Sequence, residues 1–439
     1  MLNKAGRKLS SLTFRPQGAS LRGRLSVPGD KSISHRCLLL AALAAGTSRI
    51  TGLSAGLDVR ATRRAVASFG ATVEPGANDG EWAVTGGKLA EPDDVIDVGN
   101  SGTAIRLMVG WAAALDALTV LKGDRSIARR PMGRVIEPIR AMGARLDGRD
   151  NATLPPLVVR GGHLHGIDYE LPVPSAQVKG AILLAGLSAE GETTVREGHP
   201  TRVHTEEMLP LWGGQVRVGE GSVTVTPGPL SPCDFDVPGD PSQAAFWIVA
   251  ACISPGSDLT VQNVYLGPQR AGFLAVLERM GANVEVADFD DRRHVGNVRA
   301  AFGPLVATTV GGPEIPSLID EIPVLAVAAA FAEGVTVFAD ASELRHKESD
   351  RVQSTVGALR TLGVSAEGQP DGLVVEGSAG GSLKGGIVDS EGDHRVAMSM
   401  AVASLRSADP VTIDAWESVA TSYPGFEEDF ARCTSNPTL

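Results

Sequence analysis

The sequence predicts an α/β protein of two domains, built from six repeated units of about 70 residues, three per domain. Three observations carry that expectation. Six times a polar loop leads into a short, almost wholly apolar stretch of helical length. The starts are Asp30 (DKSISHRCLLLAALAAG), Asn100 (NSGTAIRLMVGWAAAL), Pro174 (PSAQVKGAILLAGL), Asp240 (DPSQAAFWIVAACI), Asp320 (DEIPVLAVAAAFAEG) and Asp393 (DHRVAMSMAVASL), and they are spaced by 70, 74, 66, 80 and 73 residues. Such regular spacing is the signature of an internal repeat. Finally, SVPGDKS before the first stretch matches DVPGDPS before the fourth, which sets the second three units against the first three.

Within a unit the elements follow in a fixed order. The apolar helix is succeeded by a β-rich stretch: TSRITGL, ALTVLKG, GETTVREG, DLTVQNV, GVTVFAD and DPVTIDAW in turn. An amphipathic helix then ends in Gly and returns to a strand in SFGATVE, AMGARLD, LWGGQVRV, RMGANVEV and TLGVSAE. Gly tolerates the left-handed turn that closes a helix. A further strand completes the unit, as in EWAVTGG and SVTVTPG. The sixth unit stops early, after TIDAW and GFEEDFARC, and SSLTFRPQG and SLRGRLSVPG near the N-terminus are expected to supply its missing pair. Residues 1–28 are thus assigned to the second domain, 29–237 to the first (units one to three) and 238–439 to the second (units four to six). The chain crosses between them near residues 27–29 and 237–239. Helices apolar all round must be buried, so each domain is expected to wrap its sheets and amphipathic helices around three of them.

The 439 residues suffice for two or three well-buried cores, and the composition, 43% hydrophobic with few aromatics, is globular. No apolar run approaches the ~20 residues that span a bilayer; residues 37–45 and 324–332 have buried-helix length. Lys4, Arg7 and Lys8 lack the apolar core of a secretory signal; with no acidic residue before Asp30 they hint at a transit segment, but a cytoplasmic protein is expected. Four scattered cysteines, Cys37, Cys233, Cys252 and Cys433, fit neither a zinc site nor a disulfide scaffold. A net charge of −11 argues against nucleic acid as partner.

Chemistry concentrates in two places. In KESDR, Lys347, Glu348 and Arg351 would share one face if the stretch opens a helix, placing a carboxylate between two cations; a solvated, charge-paired helix start is the plainer alternative. The six helix starts carry Asp, Ser, Asn or Pro-Ser, which are good N-caps. If all six face one crevice between the domains, their N–H groups and dipoles make it an anion site. Lys31, Ser32, Arg36, Asn100, Ser101, Thr103, Ser175, Gln177, Asp320, Asp393, His394 and Arg395 lie in these loops, and Arg130 adds a cation between repeats. A purely structural repeat has no need of Lys, Arg and Asp at the mouths of its most apolar helices.

This set of loops resembles the 5-enolpyruvylshikimate-3-phosphate synthase family over nearly the whole chain: PGDKSISHR (28–36), GNSGTAIR (99–106), RPMGR (130–134), SAQVK (175–179), RVHTEEM (202–208), the acidic loop at Asp320, HKESDR (346–351) and DHRVAM (393–398). SAQVK and the Arg202-x-His204-x-Glu206 spacing look like that family's second bacterial subclass. The resemblance implies the two-domain enolpyruvyl transferase fold, an inside-out α/β barrel. It also implies transfer of the enolpyruvyl group of phosphoenolpyruvate to the 5-hydroxyl of shikimate 3-phosphate, releasing phosphate, in aromatic amino-acid (chorismate) biosynthesis. No cofactor and no metal is called for. The partners implied are small anionic substrates, with neither nucleic acid nor membrane, bound by a monomer.

By motif position, the resemblance gives shikimate 3-phosphate to Lys31, Ser32, Arg36, Ser175, Ala176, Gln177, Arg202, Asp320 and Lys347. It gives phosphoenolpyruvate to Lys31, Asn100, Gly102, Arg130, Gln177, Arg351 and Arg395, the planar arginine fork suiting carboxylate and phosphate. Asp320 takes the hydroxyl proton, either Lys31 or Glu348 serves the carbon-bound proton, and Lys347 stabilises charge. Glyphosate occupies the phosphoenolpyruvate pocket in this family, against the Gly matching Gly102. The chain departs from the family pattern at Ser422, where many members carry Lys, and at Ala176, where the phosphate-binding pair has a second serine. His163-x-His165 reads as a surface turn rather than a metal pair, Cys37 as a core residue, and Arg202 with His204 as either a charged loop or an extra clamp on substrate. Two alternatives are a UDP-N-acetylglucosamine enolpyruvyl transferase, disfavoured by Ser32 and by the lack of a cysteine in residues 121–130, and a non-catalytic anion-binding protein of the same fold. Binding anions does not need Asp320 and Glu348 together.

Overall fold

The computed structural model describes residues 10–15 and 18–435; the basic N-terminal residues Lys4, Arg7 and Lys8 lie outside that range. The chain forms two compact units, one of Gly29–Val237 and one of Pro238–Leu439 with the N-terminal segment ending at Pro28.

In the Gly29–Val237 unit the three apolar helices are Lys31–Leu43, Gly102–Ala113 and Ala176–Gly186. Asp30, Ser101 and Ser175 cap them, accepting from the N–H of Ile33, Ala104 and Val178. Each cap satisfies one of the N–H groups that a helix start leaves without a partner. Each helix leads into a four-stranded sheet. The first sheet runs Phe235–Asp236, Gly46–Thr51, Trp82–Gly86, Thr72–Pro75, with the first pair parallel and the rest antiparallel. The other two sheets repeat the pattern, so the last strand of the unit closes onto the sheet of its first repeat.

The Pro238–Leu439 unit repeats the plan with helices Pro241–Ile253, Ile322–Phe331 and His394–Ala403, every residue of which is buried. Asp240 and Asp393 cap the outer two. The two N-terminal strands part company, contrary to the expected pairing. Ser11–Phe14 lies antiparallel to Val411–Asp414 and completes the sixth sheet, which has three strands. Arg22–Ser26 instead lies parallel to Asp258–Tyr265 in the fourth sheet. There it takes the edge position that Phe235–Asp236 takes in the other unit, which is where a strand leading into a VPGD turn belongs.

All five helix-closing glycines of the repeat, Gly70, Gly143, Gly213, Gly281 and Gly363, have φ between 78° and 107°, as the motif requires. A different glycine sets helix packing. A Cβ on Gly110 would lie 1.9 Å from the carbonyl oxygen of Ala181, so the helices Gly102–Ala113 and Ala176–Gly186 meet backbone to backbone. That contact fixes the spacing of two loops rich in polar residues. Gly110→Ala should therefore destabilise the protein by at least the ~1–3 kcal/mol typical of overpacking, measured as a lower urea midpoint at unchanged slope.

Candidate functional site

The unit Gly29–Val237 holds a cluster of cations at its helix starts. Lys31 Nζ is 3.0 Å from Asp58 Oδ2. Arg36 is buried, its Nε donating to Thr205 Oγ1 (2.8 Å) and its Nη1 to the carbonyl of Ser32 (3.0 Å). Asn100 Nδ2 donates to Asp124 Oδ2 at 2.6 Å. Gln177 accepts from Arg106 Nη1 (2.9 Å) through its side-chain oxygen and donates to Thr103 Oγ1 (3.0 Å), so the loops at 100 and 175 are joined. A Cβ on Gly102 would lie 2.5 Å from Arg130 Nη1 and 3.0 Å from Arg106 Nη1, so two guanidinium groups flank this glycine. Ser175 uses an oxygen lone pair to cap its helix, and its O–H proton can still be donated. Arg202 is half-buried in the loop before the helix His204–Leu211.

Sequence reasoning did not nominate Arg106, which sits within an apolar helix one turn from Gly102. Nor did it nominate Asp58 or Thr205, which lie far from their partners in sequence. Cys37 is wholly buried, and burial pushes its thiol well above the usual range. His163 is an exposed residue in a bend, with φ 53°.

The unit Pro238–Leu439 gathers carboxylates around one arginine. Arg351 is 1% exposed, and its Nε meets Asp393 Oδ2 at 2.7 Å, its Nη1 meets Asp320 Oδ1 at 3.0 Å and its Nη2 meets Glu348 Oε2 at 2.5 Å. Lys347 Nζ also reaches Asp320 Oδ1 (3.3 Å), and Arg395 donates to the Asp320 carbonyl (3.0 Å) and to Glu321 Oε1 (3.4 Å). The carboxylates hold the guanidinium of Arg351 well above the ordinary arginine value although burial opposes them, so it is always charged. The KESDR stretch differs from expectation: the helix is Arg351–Thr361, capped by Asp350, whose side chain accepts from Gln353 N–H. Lys347 and Glu348 lie in the bend before it, because Asp350 is the better cap. Asp320 and Glu348 are nonetheless brought together on the two Nη atoms of Arg351. Ser422 is 1% exposed, so its hydroxyl is buried.

One histidine ties the loops of the first unit. His35 Nδ1 is 2.7 Å from Thr62 Oγ1 and its Nε2 is 3.2 Å from the capping Ser101 Oγ. Burial, reinforced by Lys31 and Arg36, lowers its pKa well below 6.5. The folded protein therefore binds this proton less readily than the unfolded chain. Stability from neutral His35 is full above about pH 6.5 and is lost as pH falls below it. His35→Gln should flatten the acid limb of stability against pH by up to about 1.4 kcal/mol per pH unit, read by urea unfolding at about pH 7.5 and about pH 5.5. Parallel limbs in the two proteins would contradict a neutral bridging imidazole.

Comparison with known proteins gives a consistent picture. A family model described as EPSP synthase (3-phosphoshikimate 1-carboxyvinyltransferase) matches residues 16–430. A protein of Parvibaculum lavamentivorans named 3-phosphoshikimate 1-carboxyvinyltransferase is 47% identical, over 97% of this chain and 96% of that one. The solved EPSP synthase of Acinetobacter baumannii superposes with a TM-score of 0.86 at 38% identity, covering 97% of this chain and 98% of that one. The enolpyruvyl transferase NikO of Streptomyces tendae shares the fold, with a TM-score of 0.79 at 18% identity over 97% and 98% of the two chains.

Proposed function

The chain belongs to the EPSP synthase family, and from that membership we infer that it is an enolpyruvyl (carboxyvinyl) transferase of aromatic amino-acid biosynthesis. It moves the enolpyruvyl group of phosphoenolpyruvate to the 5-hydroxyl of shikimate 3-phosphate and releases phosphate. The reaction needs a proton delivered to carbon 3 of phosphoenolpyruvate, attack of the acceptor oxygen on carbon 2 with loss of its proton, and departure of phosphate as carbon 3 returns its proton. The observation that carries the assignment of roles is the pair of carboxylates, Asp320 and Glu348, on one buried guanidinium with Lys347 alongside.

In this reading Asp320 takes the hydroxyl proton, and Glu348, with Lys31 as the other candidate, exchanges the proton with carbon 3. Lys347 offsets charge at Asp320. Lys31, Ser32, Arg36, Ser175, Ala176, Gln177 and Arg202 hold shikimate 3-phosphate. Arg130, Arg395, Asn100 and Gln177, with the open backbone at Gly102, hold phosphoenolpyruvate. Arg351 is engaged by three carboxylates in this structure, so it grips phosphoenolpyruvate only as Glu348 yields its place, a charge-for-charge exchange. The reading requires both sets of residues to meet the same pair of substrates. A cytoplasmic location and a monomeric state belong to the proposal as well. Among the described residues no helix is long and apolar enough to cross a membrane.

Phosphate release from phosphoenolpyruvate in the presence of shikimate 3-phosphate tests the activity, with UDP-N-acetylglucosamine as control acceptor; release with the UDP-sugar alone would overturn it. Glu348→Gln keeps the contact length to Arg351 but removes proton transfer. Turnover should fall roughly 10²–10⁴-fold with little change in the Michaelis constant for shikimate 3-phosphate, while that for phosphoenolpyruvate falls because Arg351 loses its charged competitor; a mutant with wild-type turnover would reassign Glu348 to binding. Gly102→Ala places a methyl against Arg130 and Arg106 and should raise the inhibition constant for glyphosate more than the Michaelis constant for phosphoenolpyruvate, by about 10–200-fold. Titration of both proteins with glyphosate at several phosphoenolpyruvate concentrations measures this; equal proportional shifts would remove Gly102 from the pocket.

A further inference from the structure

Two motifs singled out in the sequence, SAQVK and RVHTEEM, contain charged residues that the reaction does not use. Lys179 is fully buried on the helix Ala176–Gly186. Its Nζ lies 2.5 Å from Glu206 Oε1, on the first turn of the helix His204–Leu211, and 2.6 Å from Glu197 Oε1, the last residue of the strand Thr193–Glu197. Thr201 Oγ1 donates to the other oxygen of Glu197 at 2.5 Å. Glu197 immediately precedes the loop 198–203, Glu206 lies in the first turn of the helix that follows it, and Thr201 is in its middle. Arg202 is the next residue. The same helix start also supports Arg36 through Thr205. A Cβ on Gly180 would lie 2.8 Å from Thr205 Oγ1, so the two helices are locked at close range.

Two carboxylates sharing one buried ammonium make a poor stabilising device. The desolvation of such groups is commonly as large as their attraction, and apolar replacements of like volume are often neutral or better. Burial in fact raises the Glu206 carboxyl above its ordinary value despite Lys179. What the arrangement does supply is a single geometry for a loop that hydrophobic packing alone would not fix.

We propose that Lys179, Glu197 and Glu206 are positioning residues that hold the Arg202 loop against the start of the Ala176–Gly186 helix, and so set the affinity for the phosphorylated acceptor. The acceptor's assignment to this loop rests on the function inferred above. Lys179 lies one turn beyond Ser175 on that helix, so the triad ties the serine cap and the arginine to one rigid point. Displacing a contacting group by about an ångström can weaken an interaction by as much as ~10²-fold.

The test is Glu206→Gln, which keeps the size of the side chain and leaves Lys179 paired with Glu197. The Michaelis constant for shikimate 3-phosphate should rise about 10-fold or more, while that for phosphoenolpyruvate moves less than about 3-fold. Combined with Arg202→Ala, Glu206→Gln should add little further, because both act through one contact. Equal shifts for the two substrates, or additive effects in the double variant, overturn the proposal. Thr201→Val, which spares every charge, should give a smaller rise of the same selectivity, and serves if Glu206→Gln does not fold; a Thr201→Val protein with wild-type constants overturns the proposal likewise. Hydrogen exchange of the amides in residues 198–203 of the unliganded chain reads the positioning without any substrate. It should be faster in either variant, and unchanged exchange overturns the triad's role even if the acceptor proves to be another molecule. Failure of the wild type to use shikimate 3-phosphate, with exchange still faster in the variants, would instead overturn the substrate assignment alone.

Discussion

A helix apolar on every side can carry polar chemistry only at its ends, and six such helices dominate this chain. Their flanks must be covered on all sides, which commits every other element of the repeat to covering them. The helix starts are then the places where backbone N–H groups, caps and charged side chains can face outward without burying an unpaired charge. Asp30, Ser101, Ser175, Asp240 and Asp393 each accept from their own helix. The residues that follow or precede them, Lys31, Gly102, Gln177 and Arg395, are the ones assigned to substrates. Structural and functional roles therefore sit one or two residues apart at these four starts.

The two units handle charge differently. In Gly29–Val237 the cations are gripped by neutral oxygens as well as by carboxylates: Arg36 by Thr205 and Ser32, Arg106 by Gln177 and Gly102. In Pro238–Leu439 the cations sit among acids. Arg351 has three, Arg270 has Asp240 and Glu321, and Arg395 has Asp320 and Glu321. Proton transfer needs carboxylates held in fixed places, and a buried arginine fork fixes them well. Anion binding needs cations that neutral groups orient.

Much of this was legible in sequence because the repeat is local. Apolar runs, caps and helix-closing glycines each depend on a few consecutive residues, and their period alone places six helix starts. The strand partition at the N-terminus was not, since Ser11–Phe14 and Arg22–Ser26 carry no mark of which sheet they join; that choice is made by partners about 400 and about 235 residues away. The spacing of Lys347, Glu348 and Arg351 puts them on one face only if the helix opens at Lys347, four residues before its actual start; the cap at Asp350, which no spacing argument weighs, sets that start at Arg351. The pairing of Lys179 with Glu197 and Glu206 was hidden for another reason. Each residue reads as an exposed charge in its own helix or strand, and only tertiary packing makes them partners.

One helix start breaks the rule the others keep, and it is the one that carries the candidate base. Glu321 stands at the cap position of Ile322–Phe331, yet its side chain makes no capping hydrogen bond. A missing cap costs about 1 kcal/mol. Glu321 is instead wholly buried and turned sideways, accepting from Ser242 and from Arg270 and Arg395. Arg270 in turn holds Asp240, the cap of the neighbouring helix, at 2.7 Å. The carboxylate that would have served its own helix is spent on orienting Arg395, and Arg395 also grips the carbonyl of Asp320. Local rules tend to be broken where function demands another geometry. Here the exception fixes both the backbone of Asp320 and the arginine beside it, leaving the Asp320 side chain between Arg351 and Lys347.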